Sequence, residues 1–200
     1  MLRGGNLVIA GFLALSVALP AFADQEEHGT SSTGKFEWEL RGTVDSGKAI
    51  WLWEAGHKRA ARKLCDTEGW CCLHMHFSPE DDSLVVEDGG ASLGISLRLF
   101  RHVSSAEYHE ITEPDINLAA EHAALEAGRL PKNEALDHLY VKCLGWSADS
   151  TSILIRVTGK GSSTTRPHFN ILWFAAYYFA PPHFETDLRQ FNGKVLLPSR

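Results

Sequence analysis

The sequence lacks the features that mark several large classes of protein. It has 19 Lys+Arg against 25 Asp+Glu and a formal net charge of -6, so no basic excess is available to neutralise nucleic-acid phosphates. It contains no P-loop, dinucleotide fingerprint, HExxH, EF-hand loop or GxSxG elbow. Its 44% of hydrophobic residues excludes an intrinsically disordered chain. These absences predict a globular protein with no nucleic-acid partner and no cofactor.

The longest hydrophobic run lies at the N-terminus. Arg3 precedes an apolar stretch from Leu7 to Leu19, and an A-x-A pattern follows at 21–23. The stretch has about 13 residues, whereas a membrane-spanning helix needs about 20. The sequence therefore predicts a cleaved signal peptide over 1–23 and a periplasmic or secreted mature chain without a transmembrane helix.

Cysteine is scarce, but the predicted mature chain holds all four: Cys65, Cys71, Cys72 and Cys143. An even count in an oxidising compartment favours disulfide bonds. A bond between the neighbours Cys71 and Cys72 would be strained, since successive residues of a strand point to opposite faces. We predict two disulfides, one from Cys65 and one from Cys143, each to a different member of the neighbouring pair. Which pairs with which is left open.

Two-residue periodicity dominates the sequence after residue 36. The polar segment 24–35 predicts a disordered lead-in, followed by a single β domain over 36–200. Six strands with short turns are predicted between residues 36 and 101, as an antiparallel meander. Strands resume at 139–146, 152–159 and 169–179, with a last short one near 184–188.

One helical segment interrupts this β pattern. Thr112 is a plausible N-cap, Pro114 suits a first turn, and Gly128 can end a helix. A second short helical piece is expected over 132–137. The sequence thus predicts a helical insertion near 113–137.

Two stretches of the predicted strands are similar to each other. His76–Gly90 aligns without gaps to Gly145–Gly159 at an offset of 69 residues. Each copy has an aromatic residue, a serine, an acidic turn and three aliphatic residues in a row. The turn serines are Ser78 and Ser147, and acidic side chains can bind turn amides. The repeat therefore predicts a strand–turn–strand hairpin.

This repeat resembles the aromatic-Ser-Pro-Asp hairpin in blades of WD-type and periplasmic β-propeller repeats. The resemblance implies a scaffold for loops and no particular catalysis. A blade needs about 40–45 residues and the smallest propellers have four blades. The 177 residues left after removing 23 from 200 also contain a helix and a lead-in, so a closed propeller is not expected. We expect a mainly β fold of two to three blade-like antiparallel meanders, packed as a sandwich or partial propeller, with one helical insertion.

Candidate metal ligands lie on one face of a predicted strand, as Cys72, His74 and His76. Two imidazoles at i and i+2 suit zinc or copper. If Cys72 forms a disulfide, His74 and His76 need a third ligand from elsewhere. The alternative is a solvent-facing strand without metal.

A candidate binding loop follows the second repeat. Residues 159–168 are rich in Ser, Thr and Gly, and loops on a rigid β scaffold often carry recognition. Lys160, Arg166 and His168 are its polar candidates, and Trp173 represents the aromatic strand that follows.

The signal peptide, the cysteines, the β meander and the missing catalytic motifs together predict an exported binding protein. We interpret the chain as a macromolecule-binding module of inhibitor or immunity type, without catalysis, whose partner is an envelope protein, toxin or hydrolase. Its acidic charge would suit a basic target. Two alternatives stay open: an envelope scaffold or assembly accessory, and a metal-dependent or hydrolytic enzyme centred near His74 and His76.

Overall fold

The computed structural model describes residues 27–43, 47–67, 72–90, 94–128, 136–161 and 168–193. Within these ranges the fold is mainly β, with two sheets and one α-helix, as predicted from the sequence. Short 3-10 turns lie at Lys58–Ala60 and Leu188–Gln190. The strands and the helix are, in chain order, β1 His28–Thr30, β2 Phe36–Thr43, β3 Gly47–Glu54, β4 Arg62–Thr67, β5 Cys72–Phe77, β6 Ser83–Gly90, β7 Gly94–Ser104, β8 Glu107–Ile111, α1 Ile116–Ala127, β9 Leu136–Trp146, β10 Ser152–Gly161, β11 Phe169–Phe179 and β12 Pro182–Glu185.

The strands form three antiparallel meanders of four strands each. We call these meanders unit 1 (β1–β4), unit 2 (β5–β8) and unit 3 (β9–β12). Unit 1 is a sheet of its own. Units 2 and 3 share one sheet, because the start of β7 pairs in parallel with β9 at Gly94↔Leu139 and Ile95↔Tyr140. This is the arrangement of a β sandwich or partial propeller with one helix, which agrees with the expected fold class.

A glycine allows β7 and β9 to approach each other closely where units 2 and 3 join. Gly94 has φ +108°, and a Cβ at this position would lie 2.1 Å from the carbonyl oxygen of Leu139. A side chain would therefore force the two strands apart, and the backbone conformation itself is unfavourable for other residues. The close approach of β7 to β9 depends on this position.

Unit 2 lies between the other two units and is covered on both faces. On one face, Leu84 and Phe100 share a hydrophobic core with Phe36 and Ile50 of unit 1. On the other face, Val85, Leu97 and Leu99 share a second core with α1 and with unit 3 residues such as Val141 and Ile155. Double coverage explains why β6 is apolar at consecutive positions: Leu84, Val85 and Val86 are all 0% exposed.

The helix is shorter than the predicted insertion near 113–137. Its N-cap is Asp115, whose carboxylate accepts the N–H groups of Asn117 at 2.9 Å and Leu118 at 3.2 Å. The expected cap Thr112 and the proline at 114 precede the helix, because Asp115 supplies a better-placed acceptor. Residues 129–135 lie outside the described part, and β9 begins at Leu136, within the second predicted helical piece.

Two strands depart from the sequence predictions. β1 lies inside the expected disordered lead-in 24–35, where Leu40 N–H donates to Glu27 O at 2.8 Å and β1 pairs with β2. β8 was not predicted, since Tyr108 is its one fully buried residue. Main-chain hydrogen bonds hold both segments as strands. Their polar composition gives no hydrophobic alternation from which a strand could be predicted. The predicted signal peptide over 1–23 lies outside the described residues, and no helix within them is long and apolar enough to cross a membrane.

The cysteines differ from the prediction where the structure describes them. Cys65 and Cys143 are free thiols, and each is buried in a different hydrophobic core. The structure therefore shows no disulfide at either position, and both sulfurs pack as apolar groups in a core. Cys71 and the side chain of Cys72 lie outside the described residues, so a bond between these two neighbours is not addressed.

Both buried thiols are expected to resist alkylation in the native protein. Burial raises the pKa of Cys65 to about 12 and raises the pKa of Cys143 as well, while the thiolate is the reactive form. Iodoacetamide at pH 8 should leave both unlabelled until denaturant is added, with peptide mass mapping as the readout. Labelling after unfolding should need no reductant; a requirement for reductant would restore the disulfide prediction.

Candidate functional site

The first hairpin of each unit has the same turn geometry. The three turns span Ser31–Phe36, Ser78–Ser83 and Ser147–Ser152. In each, the serine N–H donates at 2.9 Å to the carbonyl oxygen of the last residue. The serine Oγ accepts the N–H of that same residue, at 3.0, 3.1 and 2.9 Å respectively. The hairpin predicted from the sequence repeat is thus present in three copies.

The fourth residue of each turn has a left-handed backbone. These residues are Gly34, Asp81 and Ser150, with φ of +77°, +60° and +60°. The first copy escaped the sequence comparison because a glycine occupies the left-handed position and no acidic residue marks the turn. The signal that could have found it is Ser31 with a glycine three residues later, directly before an alternating strand.

Asp81 ties the hairpin of unit 1 to that of unit 2. Its carboxylate accepts from Ser31 Oγ and Thr33 Oγ1, both at 2.5 Å, and from Thr33 N–H at 3.3 Å. Ser32 Oγ donates to the Phe77 carbonyl oxygen at 3.0 Å, and Asp81 is only 2% exposed. The two turns are therefore held together by buried, charge-assisted hydrogen bonds.

A second buried carboxylate joins unit 2 to unit 3. Glu87 is 3% exposed, accepts the Cys143 N–H at 2.7 Å and lies 3.3 Å from His76 Nε2. Trp146 Nε1–H donates to the His76 carbonyl oxygen at 2.9 Å. The main chain of His76 is thus held by Trp146, and its ring lies beside Glu87 with Nε2 buried and without a hydrogen-bond partner among the described residues.

The three hairpins enclose a cleft of about 650 Å³, which we call the three-hairpin cleft. The first strand of each unit leads into it, and Gly193, which forms a β-bridge with Ser147, closes one side. Its volume is in the range of ligand pockets. Residues from all three units line it, among them Thr30, Ser32, His76, Pro79, Trp146 and Ala148.

The polar side chains described in the cleft do not form a catalytic pair. Ser32 donates its hydroxyl to a main-chain carbonyl, so no base activates it. His76 turns its Nε2 toward the buried Glu87 rather than toward a nucleophile. The described residues of the cleft therefore offer shape, aromatic surface and hydrogen bonding, but no nucleophile–base pair.

The structure places His74 and His76 side by side, with ring centroids 6.2 Å apart. Within the described ranges, no group of three His, Cys, Asp or Glu residues could hold a metal ion. The side chain of Cys72 lies outside those ranges. The metal site predicted at these histidines stays a prediction.

The predicted binding loop is only partly described. Lys160 and His168 are both exposed, and Arg166 lies outside the described residues. Trp173 faces the core side of β11, where its ring packs 5.4 Å from Phe184. The strand register therefore separates Trp173 from Lys160, which pairs with Asn170 on the opposite face.

Comparison with known proteins gives little similarity. No known family matches the sequence, and no curated protein matches it. Among solved structures, the chain is similar to TolB from Acinetobacter baumannii, with a TM-score of 0.40 and 9% sequence identity. The likeness covers 80% of this chain and 31% of that chain, so this protein spans about a third of the TolB structure.

Proposed function

We propose that this protein is an exported binding module, of inhibitor or immunity type, that recognises a segment of another protein in the three-hairpin cleft. The observation that carries the proposal is the cleft itself, about 650 Å³ in volume and built by one hairpin from each unit. A site assembled from all three units is held rigid by the whole fold, which lowers the entropic cost of binding.

The lining of the cleft favours recognition over reaction. Met75, Phe77, Pro79 and Trp146 give it apolar and aromatic walls, the kind of surface that dominates protein-binding hot spots. The described thiols are buried away from it, and burial raises the pKa of each. Covalent chemistry at cysteine is therefore disfavoured.

The edges of the strands at the cleft suit an extended peptide. β5 ends the eight-stranded sheet, so its outer edge has no strand partner in the described part of the chain. Met75, His76 and Phe77 of this edge strand line the cleft. A strand edge without a neighbouring strand can bind a peptide through main-chain hydrogen bonds, while side-chain pockets give specificity. A peptide here would share or replace the hydrogen bonds that the His76 and Phe77 carbonyl oxygens accept from Trp146 and Ser32. The net charge of -6 favours a partner with basic residues.

Photo-crosslinking tests the proposal directly. A benzoylphenylalanine at Ala148, which is exposed and lines the cleft, should crosslink one discrete protein in the envelope or secreted fraction of producing cells. The control position is Leu118, which is 51% exposed on the helix and does not line the cleft. Crosslinking at Leu118 should be at least ten-fold weaker.

A variant that places a larger side chain in the cleft tests whether the crosslink depends on the cleft. Pro79→Arg, at an exposed position of the lining, should leave the circular dichroism spectrum unchanged and lower the Ala148 crosslink at least ten-fold. Equal crosslinking from Ala148 and Leu118, or a crosslink insensitive to Pro79→Arg, would argue against the cleft as the binding site.

A further inference from the structure

Unit 3 has an outer face, opposite its core side, that is open over part of its area. Leu154 and Ala176 on this face are 4% and 1% exposed, whereas the next rows are more open. Cross-strand register places Lys142, Arg156 and Phe174 in one row, and Tyr140, Thr158 and Leu172 in the next. Their sequence neighbours Val141, Ile155, Val157 and Ile171 point to the opposite side, into the core shared with unit 2. We call this surface the outer face of unit 3.

Apolar side chains on this face are open to solvent. Leu172 is 65% exposed and Phe174 is 39% exposed, although both lie in the middle of an eleven-residue strand. Their neighbours Ile171 and Ala175 are 8% and 0% exposed. An exposed aliphatic and aromatic pair on a regular sheet is typical of an interaction surface.

The same face carries cations without acidic partners. Lys142, Arg156 and Lys160 form no ion pair with any residue that the structure describes. Arg156 lies directly opposite Lys142, and like charges in that position repel. The Nε atom of Arg156 is buried without a hydrogen-bond partner. An anionic group placed beside Lys142 and Arg156 would relieve the repulsion between them.

Unit 1 lies on the opposite side of unit 2 from unit 3, and the charged and aromatic side chains of its outer face contact one another. On unit 1, Arg41 lies 4.8 Å from the Trp51 ring and Lys58 lies 5.1 Å from the Trp53 ring. Both cations are paired with Glu39. Unit 1 therefore covers its aromatic residues and neutralises its own charges, whereas the outer face of unit 3 does neither.

We infer that the outer face of unit 3 binds an acidic protein segment that carries apolar side chains between its carboxylates. Leu172 and Phe174 need an apolar partner, and the three cations need carboxylates, so one partner must supply both. Nucleic acid fits less well, since its phosphates would leave the exposed Leu172 without an apolar partner. This surface is separate from the three-hairpin cleft, and the inference does not depend on the proposed function.

The test uses fluorescence anisotropy of the mature chain with a labelled random copolymer of glutamate and tyrosine. Binding should be at least ten-fold tighter than to a glutamate homopolymer of the same length. Lys142→Glu combined with Arg156→Glu should weaken copolymer binding at least ten-fold, and Leu172→Ser at least three-fold. The matched control is Arg59→Glu combined with Lys63→Glu, two exposed positions of unit 1 with the same change in charge. It should change binding less than two-fold.

Each other outcome overturns the inference. Equal loss in the control pair would mean that net charge alone governs binding. Equal affinity for the glutamate homopolymer would remove the role of Leu172 and Phe174. Tighter binding to heparin or to phosphatidylglycerol vesicles would mean that the face binds a glycan or a membrane. If the folded protein binds none of these probes, the inference is wrong. Because Leu172 is mostly exposed, Leu172→Ser keeps the test valid if the double variant fails to fold.

Discussion

Asp81→Ala is expected to lower the free energy of unfolding by about 3 kcal/mol, since it deletes a buried carboxylate that accepts charge-assisted hydrogen bonds. The variant leaves Ser31 Oγ and the Thr33 hydroxyl without their acceptor between units 1 and 2. It also places alanine at φ +60°, which is unfavourable for a residue without a polar side chain. Urea unfolding followed by tryptophan fluorescence gives the measurement.

Two variants separate the contributions at Asp81. Asp81→Asn tolerates the left-handed backbone and keeps one acceptor oxygen, so we expect a loss of about 1–2 kcal/mol. Ser150→Ala introduces alanine at the equivalent position of the third hairpin, also at φ +60°, where no carboxylate links two units. Its expected cost is below about 1 kcal/mol. If Ser150→Ala costs as much as Asp81→Ala, backbone strain explains the effect and the link between hairpins does not.

Glu87→Ala should also destabilise the protein by about 2 kcal/mol, because it leaves the buried Cys143 N–H without its charged acceptor. The Cys143 N–H loses its 2.7 Å hydrogen bond, and His76 Nε2 loses the carboxylate 3.3 Å away. Glu87→Gln keeps an acceptor oxygen of the same size, so its expected cost is about half as large. Urea unfolding measures both variants.

A surface carboxylate provides the control for Glu87. Glu110 pairs with Arg98 in a partly exposed salt bridge, and Glu110→Gln should cost less than about 1 kcal/mol. In the Glu87→Ala protein, the amide resonance of Cys143 should shift in the ¹H–¹⁵N spectrum more than it does in Glu110→Gln. A cost for Glu87→Ala as small as that for Glu110→Gln would mean that solvent or another group replaces the carboxylate.

The hairpins show which parts of the fold can be predicted from sequence. Ser78 and Ser147 each bond within their own turn, so the signal is local and two copies align. Asp81 lies in a predicted turn, but its partners Ser31 and Thr33 lie about 50 residues away and in a segment expected to be disordered. Contacts between units leave no local pattern, which is why the link between hairpins was not predicted.

The candidate site was predictable only in part for the same reason. The sequence predicts His76 as a metal ligand with His74, and its ring lies beside Glu87, a neighbour that no local pattern indicates. Glu87 has no local sequence signal of its role, because β6 continues past it to Gly90 and buries it. The outer face of unit 3 depends on the register of β9 against β10, which shifts at a bulge between Leu154 and Ile155. No periodicity in either strand encodes that shift.

The contrast between the two ends of the stack sets a direction for assembly. The end formed by unit 1 has already neutralised its charges around Glu39, so it offers a neighbour little to gain. At the end formed by unit 3, Lys142 and Arg156 form no ion pair with a described residue, and the side chains of Leu172 and Phe174 are exposed. If the outer face of unit 3 binds a partner, head-to-tail growth through the two ends would also need a complementary surface on unit 1, where Arg41 and Lys58 are already paired with Glu39. Growth through these faces should therefore stop after a single binding event.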